Sequence, residues 1–226
     1  MNFKEFHLRD VQEIIWPVLS KDEEGDRVEA QIFDKLRSAI NSADFRKDTD
    51  AALDEARRIY DAEAERRRGA DNKAGIYLAA ITALIPVLAS LVANLWSEKT
   101  SALIGGLTLV IFVFSTLYLV RAGGWAFKTL KVAISNQTSP GDIFVSWKKP
   151  NPKQELAKQL CRSVISNYRG VNNKVACITM AHQFLLRAFL TFALLLAIQA
   201  ISPIGQAATK SLLPDARPSP STRAFA

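Results

Sequence analysis

The sequence is poor in the side chains that carry enzyme chemistry. Its 226 residues include only two cysteines, Cys161 and Cys177, and two histidines, His7 and His182. Two cysteines at this spacing provide neither a disulfide framework nor a set of metal ligands. The common zinc, nucleophile and phosphate-loop motifs are missing as well. We therefore predict a protein that is not an enzyme and that has no metal or other cofactor.

Charged residues are absent from three long stretches of the chain, 74–97, 100–120 and 188–209. Each is at least as long as the roughly 20 residues that cross a bilayer core of about 30 Å. Backbone buried in lipid must satisfy its own hydrogen bonds, so each stretch should be a helix. The sequence thus predicts an all-α membrane protein with three transmembrane helices. No charged residue of a proton relay or coupled transporter lies inside these predicted spans.

The rest of the sequence divides the chain into five segments. Amphipathic spacing predicts an N-terminal helical hairpin, and a stretch rich in Ala, Glu and Arg predicts a helical stalk after it. The predicted segments are the cytosolic hairpin 1–50, the stalk 51–73, a two-span hairpin with a surface segment 74–134, a basic loop and long helix entering the third span 135–209, and a disordered tail 210–226. A two-span alternative keeps 188–209 off the membrane, where its apolar residues would have no place to be buried.

The charge distribution predicts how the chain is oriented. Residues 1–73 hold 14 basic and 18 acidic side chains, whereas residues 121–187 hold 11 basic and two acidic ones. Basic segments beside a membrane tend to stay in the cytoplasm and to contact anionic lipid. We therefore expect a multi-pass inner-membrane protein with a cytoplasmic N-terminus, a long basic cytosolic loop and helix, and an external C-terminus. Because topology accounts for the basic charge, nucleic acid is not an expected partner.

A short motif occurs twice, each time ahead of a membrane run. The string RGADNKA at 68–74 is echoed by RGVNNKV at 169–175. One hypothesis is that Asp71 meets Lys174, or that Asn172 meets Asn72, and so holds the first and third spans together. The alternative is two independent boundary sequences with similar requirements. The residues of this predicted cytoplasmic gate or clamp are Asp71, Asn72, Lys73, Asn172, Asn173 and Lys174.

Two further sets of side chains are candidates for roles at the membrane. Ser90 and Asn94 share one face near the far end of the first span, where they either bond between helices or line a pore. A second set is basic and is predicted to lie at the membrane surface, with Trp147 as an anchor. These basic residues are Arg66, Arg67, Arg68, Lys148 and Lys149.

The order of these features resembles a bacterial superfamily. A charged helix leads into the string Ala70-Asp71-x-Lys73-Ala74, and a tight two-span hairpin follows. This pattern, over about residues 55–120, is similar to the SLATT-type and Pycsar-type transmembrane effectors of anti-phage systems. The resemblance implies a homo-oligomer that compromises the inner membrane when it senses a nucleotide signal, such as a cyclic nucleotide, or a sensor protein. The third span, the basic loop and the N-terminal hairpin depart from that pattern.

Two functions from different classes therefore remain open at this point. The first is an oligomeric membrane effector that permeabilises the bilayer. The second is a membrane-anchored interaction or regulatory module without pore activity, which would bind a partner through the acidic 1–50 hairpin and the basic loop. The two differ in whether the intact chain makes a membrane leaky.

Overall fold

The computed structural model describes residues 15–19, 23–95, 102–131 and 136–212, and for 92–95, 102 and 202–212 it describes the backbone only. These residues are almost entirely helical and contain no strand, which confirms the all-α prediction. The helices are α1 (Glu23–Ser42), α2 (Thr49–Leu95), α3 (Ala102–Leu130), α4 (Pro140–Trp147) and α5 (Pro152–Leu212). Residues 1–14 and 20–22 of the predicted N-terminal hairpin and the tail from 213 onward lie outside the described residues.

Three of the helices, α2, α3 and α5, are long and apolar enough to cross a membrane. This confirms the prediction of three candidate spans. Helix α2 runs without a break from Thr49 to Leu95, so the predicted stalk and first span are one helix. The start of α2 is capped by Asp48, whose Oδ1 accepts the amide of Ala51 at 3.0 Å.

Helix α5 is the element on which the others are assembled. In the apolar half of the molecule, Phe184 and Leu185 of α5 pack with Ile81 of α2 and with Leu119 of α3. In the charged half, Leu156 of α5 and its neighbours pack on Leu53 and Ala56 of α2. The short helix α4 and the amphipathic helix α1 both contact α5 there. We call these two parts the apolar half and the charged half below.

One charged residue, Arg187, lies further inside the apolar half of the molecule than the sequence suggests. Ser115 of α3 donates to the carbonyl of Ala188 at 3.4 Å, so Ala188 lies beside the uncharged run of α3 rather than at its edge. Arg187, next in the chain to Ala188, therefore lies in the apolar half, although no charge was predicted inside the spans. Its Nη1 donates to the carbonyl of Gln183 at 2.9 Å, which turns the guanidinium back toward the start of α5.

Two segments differ from their predicted conformation. Helix α3 continues through Gly123 and Gly124 to Leu130, because Ala122 and Ala126 pack fully buried against the neighbouring helices. The predicted surface segment is thus part of the same continuous helix as the second predicted span as far as Leu130. Similarly, α5 continues through Pro203 to Leu212, so it includes the first three residues of the tail that the sequence predicted to be disordered from 210.

Within the predicted basic loop, Ser139 begins helix α4 with a capping box. The Ser139 hydroxyl accepts the Asp142 amide at 3.2 Å, and the Asp142 carboxylate accepts the Ser139 amide at 2.8 Å. Proline at the first helical position suits this arrangement because it has no amide hydrogen to satisfy. The loop that the sequence predicted at Pro140-Gly141 is the first turn of this helix.

Candidate functional site: a polar clamp between the three spans

A buried lysine joins the three candidate spanning helices where the charged half meets the apolar half. Lys174 of α5 is only 8% exposed. Its Nζ donates to Oδ1 of Asp71 on α2 at 2.5 Å and to the carbonyl of Thr129 on α3 at 2.8 Å. A buried ammonium requires such partners, because an unpaired one would lose its hydration without compensation. We call Asp71, Thr129 and Lys174 the clamp.

Small residues around the clamp bring the helices close enough for these bonds. Ala70 and Ala74 flank Asp71 on α2 and are buried. Ala74 packs with Ala126 of α3 and Ala181 of α5, and these three alanines are fully buried in one cluster. Small side chains allow neighbouring backbones to approach closely. Ala70 and Ala74 therefore allow α2 to approach its neighbouring helices closely enough for Asp71 to reach Lys174.

A second layer of polar contacts lies deeper in the charged half. Arg66 of α2 donates to Oδ1 of Asn172 at 2.5 Å and pairs with Glu63 at 3.4 Å. Its guanidinium also lies 5.6 Å from the ring centroid of Tyr168. Arg66 thus connects α2 to α5.

The structure brings together only part of the predicted gate. Of the two pairings that the sequence left open, it contains Asp71 with Lys174, whereas Asn172 bonds to Arg66 and not to Asn72. The exposed members are Asn72, Lys73 and Asn173. Helical periodicity explains the division: residues three apart share a face, so Asp71 and Ala74 point inward while the two residues between them point outward.

A small cavity opens beside the clamp in the charged half, with a volume of about 180 Å³. Its lining includes Arg67, Arg68 and Asp71 of α2 together with Asn167 of α5. Oε1 of Glu63 also lines it and is buried without a hydrogen-bond partner among the described residues. A molecule entering this cavity would therefore meet the clamp carboxylate and two guanidinium groups.

On the apolar side of the clamp, Tyr77 and His182 form a contact between α2 and α5. The Tyr77 hydroxyl lies 3.0 Å from Nδ1 of His182. The sequence favoured a hydrogen-bonded structural His182 but did not identify its partner. The register of the two echoed motifs could have identified Tyr77 as the partner of His182. This register aligns α2 and α5 as parallel helices and places Tyr77 and His182 at similar heights.

One of the two polar candidates in the first span, Ser90, forms its hydrogen bond within its own helix. Ser90 donates to the carbonyl of Val87 in its own helix at 2.7 Å. The side chain of Asn94 lies outside the described residues. Ser115, fully buried against Ala188, also bonds between spans, and the sequence analysis did not single it out.

Comparisons with protein-family models, with curated proteins and with solved structures find no match to this chain.

The remaining predicted basic residues lie far from the clamp. Lys148 and Lys149 follow α4, just before α5 begins at Pro152. At 1.5 Å per residue, the start of α5 is about 30 Å from Lys174 along the helix. The unbroken α5 holds these lysines at the far end of the charged half. The clamp, in contrast, connects all three candidate spanning helices through Lys174.

Proposed function

We propose that this protein is a non-enzymatic membrane effector that works as a homo-oligomer and permeabilises the bilayer when its charged half receives a signal. The charged half lies in the cytoplasm, the C-terminus lies outside, and the bilayer is the inner membrane. The resemblance to anti-phage effectors suggests a nucleotide signal or a sensor protein as the trigger.

The observation that carries this proposal is the clamp. Three long helices share one buried ammonium, and removing the counter-charge of a buried ion costs several kcal/mol. A change at Asp71 therefore alters how α2 is held against α5 at the point where both enter the apolar half. The cavity lined by Arg67 and Asp71 offers a route by which a bound molecule could make that change.

The three spans pack directly on one another within one copy of the chain. This packing suggests that permeabilisation depends on how several copies assemble. The core of the apolar half is filled by side chains such as Phe184, which is fully buried, while many apolar side chains face outward. Permeation would thus require rearrangement among several copies. In this view the clamped arrangement is the resting state.

Dye leakage from vesicles tests the proposal directly. The full chain, an Asp71→Ala variant and an Asp61→Ala variant would be reconstituted at equal densities into vesicles of phosphatidylethanolamine and phosphatidylglycerol. Asp61 is an exposed carboxylate on the same helix and serves as the matched control. We expect Asp71→Ala to leak about ten-fold faster than the other two, because its Lys174 has lost its counter-charge.

Two results would count against the proposal. Equal leakage of the chain and Asp71→Ala would remove the gating role of the clamp. Vesicles that stay tight with all three proteins, over a range of densities that includes oligomers, would remove permeabilisation altogether.

A specific observation favours the second candidate, a membrane-anchored interaction module. The charged half exposes apolar side chains that lipid does not cover in the arrangement proposed above. On α1 these are Val28, Ile32 and Leu36, and on α4 they are Ile143, Phe144, Val145 and Trp147. Exposed apolar patches of this kind mark protein contacts. This candidate predicts tight vesicles and a partner that binds these two faces.

A further inference from the structure

A group of cationic and aromatic side chains lies where α3 leaves its uncharged run. Arg121, Trp125 and Lys128 are spaced four and three residues apart, so they share one face of the helix. The Arg121 guanidinium lies 5.6 Å from the ring centroid of Trp125, and Nζ of Lys128 lies 4.7 Å from the same centroid. The two cations therefore flank one indole and are within about 10 Å of each other.

Trp16 adds a second indole from a distant part of the sequence. Its ring lies 5.8 Å from the Arg121 guanidinium. It packs edge-on against Phe184 with centroids 5.4 Å apart, and it contacts Tyr118 at 6.3 Å. Pro17 is buried beside it. The segment 15–19 is thereby anchored on α3 and α5, and we call Trp16, Arg121, Trp125 and Lys128 the boundary patch.

The two cations of the boundary patch have no carboxylate partner in the part of the chain that the structure describes. Neither Arg121 nor Lys128 forms an ion pair there, although both side chains are exposed. The carboxylate nearest in height, Asp71, is taken by Lys174. The patch therefore presents two uncompensated positive charges at its surface.

The position of the patch indicates what can reach it. Ala122 and Ala126, which lie roughly 100° to 140° around α3 from the patch, are fully buried in the helix bundle. Arg121 and Lys128 are therefore exposed while Trp16 and Trp125 are half-buried against the bundle, and exposed Leu117 lies one turn away on the same face, toward the uncharged run. A partner of this surface must combine negative charge with an apolar continuation on the membrane side.

We propose that the boundary patch binds the headgroup of an anionic phospholipid. The phosphate accepts hydrogen bonds from Arg121 and Lys128, and the two indoles lie at the headgroup level, where tryptophan is favoured. Cationic side chains at this level attract anionic lipid, each by roughly a five-fold change in binding. Exposed Ile15, Val18 and Leu19 extend the site toward the acyl chains. A free phosphate ion would use the charges but not this apolar continuation.

Quenching of tryptophan fluorescence by brominated lipid tests this site. The chain has four tryptophans, of which Trp16 and Trp125 belong to the patch. A Trp96→Phe, Trp147→Phe background would report on the patch alone. Full-length protein would be reconstituted into phosphatidylcholine containing brominated phosphatidylglycerol or, for comparison, brominated phosphatidylcholine.

We expect roughly a ten-fold preference for phosphatidylglycerol over phosphatidylcholine in this background. Replacing both cations, Arg121→Gln with Lys128→Gln, should bring the preference close to one. The matched control, Lys148→Gln with Lys149→Gln, removes the same charge at the far end of the charged half and should keep the preference. The exchange Arg121→Lys with Lys128→Arg should keep it as well.

The proposal is overturned if the background protein shows no preference, or if the Arg121→Gln, Lys128→Gln protein retains it with unchanged helix content. It is also overturned if inorganic phosphate at millimolar concentration abolishes the preference, because the patch would then be a site for a soluble anion. Equal loss of preference in the Lys148→Gln, Lys149→Gln control would likewise replace the site by a general effect of net charge.

Discussion

At the scale of single residues, the two partners of the clamp are not equivalent. Lys174 is 8% exposed, whereas the side chain of Asp71 is 34% exposed. If Lys174 is removed, Asp71 can turn to water. If Asp71 is removed, the buried side chain of Lys174 loses its counter-charge, and the carbonyl of Thr129 is its remaining acceptor among the described residues. The cost of breaking the pair should therefore depend on which side is broken.

We predict that Asp71→Ala lowers the free energy of unfolding in detergent by about 3 kcal/mol, and Lys174→Met by about 1 kcal/mol. The double variant should be no less stable than Asp71→Ala, because the uncompensated charge is gone. Denaturant unfolding of the three proteins measures this, with Asp61→Ala as a surface control. A larger loss for Lys174→Met than for Asp71→Ala would contradict the argument.

The clamp also shows how far the sequence could predict the site. The echoed motifs sit at the same height on two parallel helices, so Asp71 and Lys174 could be proposed as a pair from the sequence. The contact with the carbonyl of Thr129 could not be predicted from the sequence. Every residue has a backbone carbonyl, and only the packing of the helices determines which one lies near Lys174. The bond from Arg66 to Asn172 was equally hidden, since the arginine run was interpreted as a membrane-surface feature.

At the scale of elements, α4 carries a titratable cap. Hydrogen bonds from the backbone and the side chain of Ser139 hold the pKa of Asp142 below its ordinary value of 3.8. A carboxyl with a depressed pKa in the folded state stabilises the fold above its unfolded pKa. That contribution is lost as the pH falls through the folded pKa. Helix α4 should therefore loosen only in acid below about pH 4.

Chemical shifts of Asp142 and of the α4 amides across pH 2 to about 6 test this prediction. We expect the Asp142 carboxyl to titrate below 3.8 and the amides to follow it. An Asp142→Asn variant should lose this pH dependence, because an amide does not titrate. A carboxyl that titrates at or above its ordinary value would show that the capping box is not formed.

Helix α4 also shows why the sequence predicted a loop where the structure has a helix. Ser139, Pro140 and Asp142 match the pattern of a capped helix start as well as that of a turn. The first turn of a helix and a β-turn share backbone geometry, so the residues at the start do not decide between them. What decides here is the continuation: Ile143 to Trp147 completes two turns whose buried Ser146 packs toward α5.

At the scale of the whole molecule, a shared membrane plane limits how copies can meet. Copies of the chain in one bilayer lie at the same height relative to the membrane. Surfaces that contact each other in neighbouring copies must therefore lie at the same distance from the membrane-spanning segments. Helix α1 runs along α5 from Asp26 beside Arg169, at 3.3 Å, to Asn41 beside Arg162, at 2.9 Å. Helix α4 follows Asn136, which bonds to Asn167. The exposed apolar faces of α1 and α4 therefore lie at overlapping heights.

These two faces are where the effector and the interaction module differ in their predictions. A photo-crosslinking residue would be placed at Ile32 on α1 and, separately, at Phe144 on α4, with Asp61 as a charged, exposed control position. If copies assemble through these faces, both positions should give an adduct of twice the 25.0 kDa chain mass in cells. A discrete adduct of another mass from both positions would instead favour the module, since a different protein would then cover the faces. Adducts from Asp61 as strong as those from Ile32 would contradict both, because contact would not follow the exposed apolar surface.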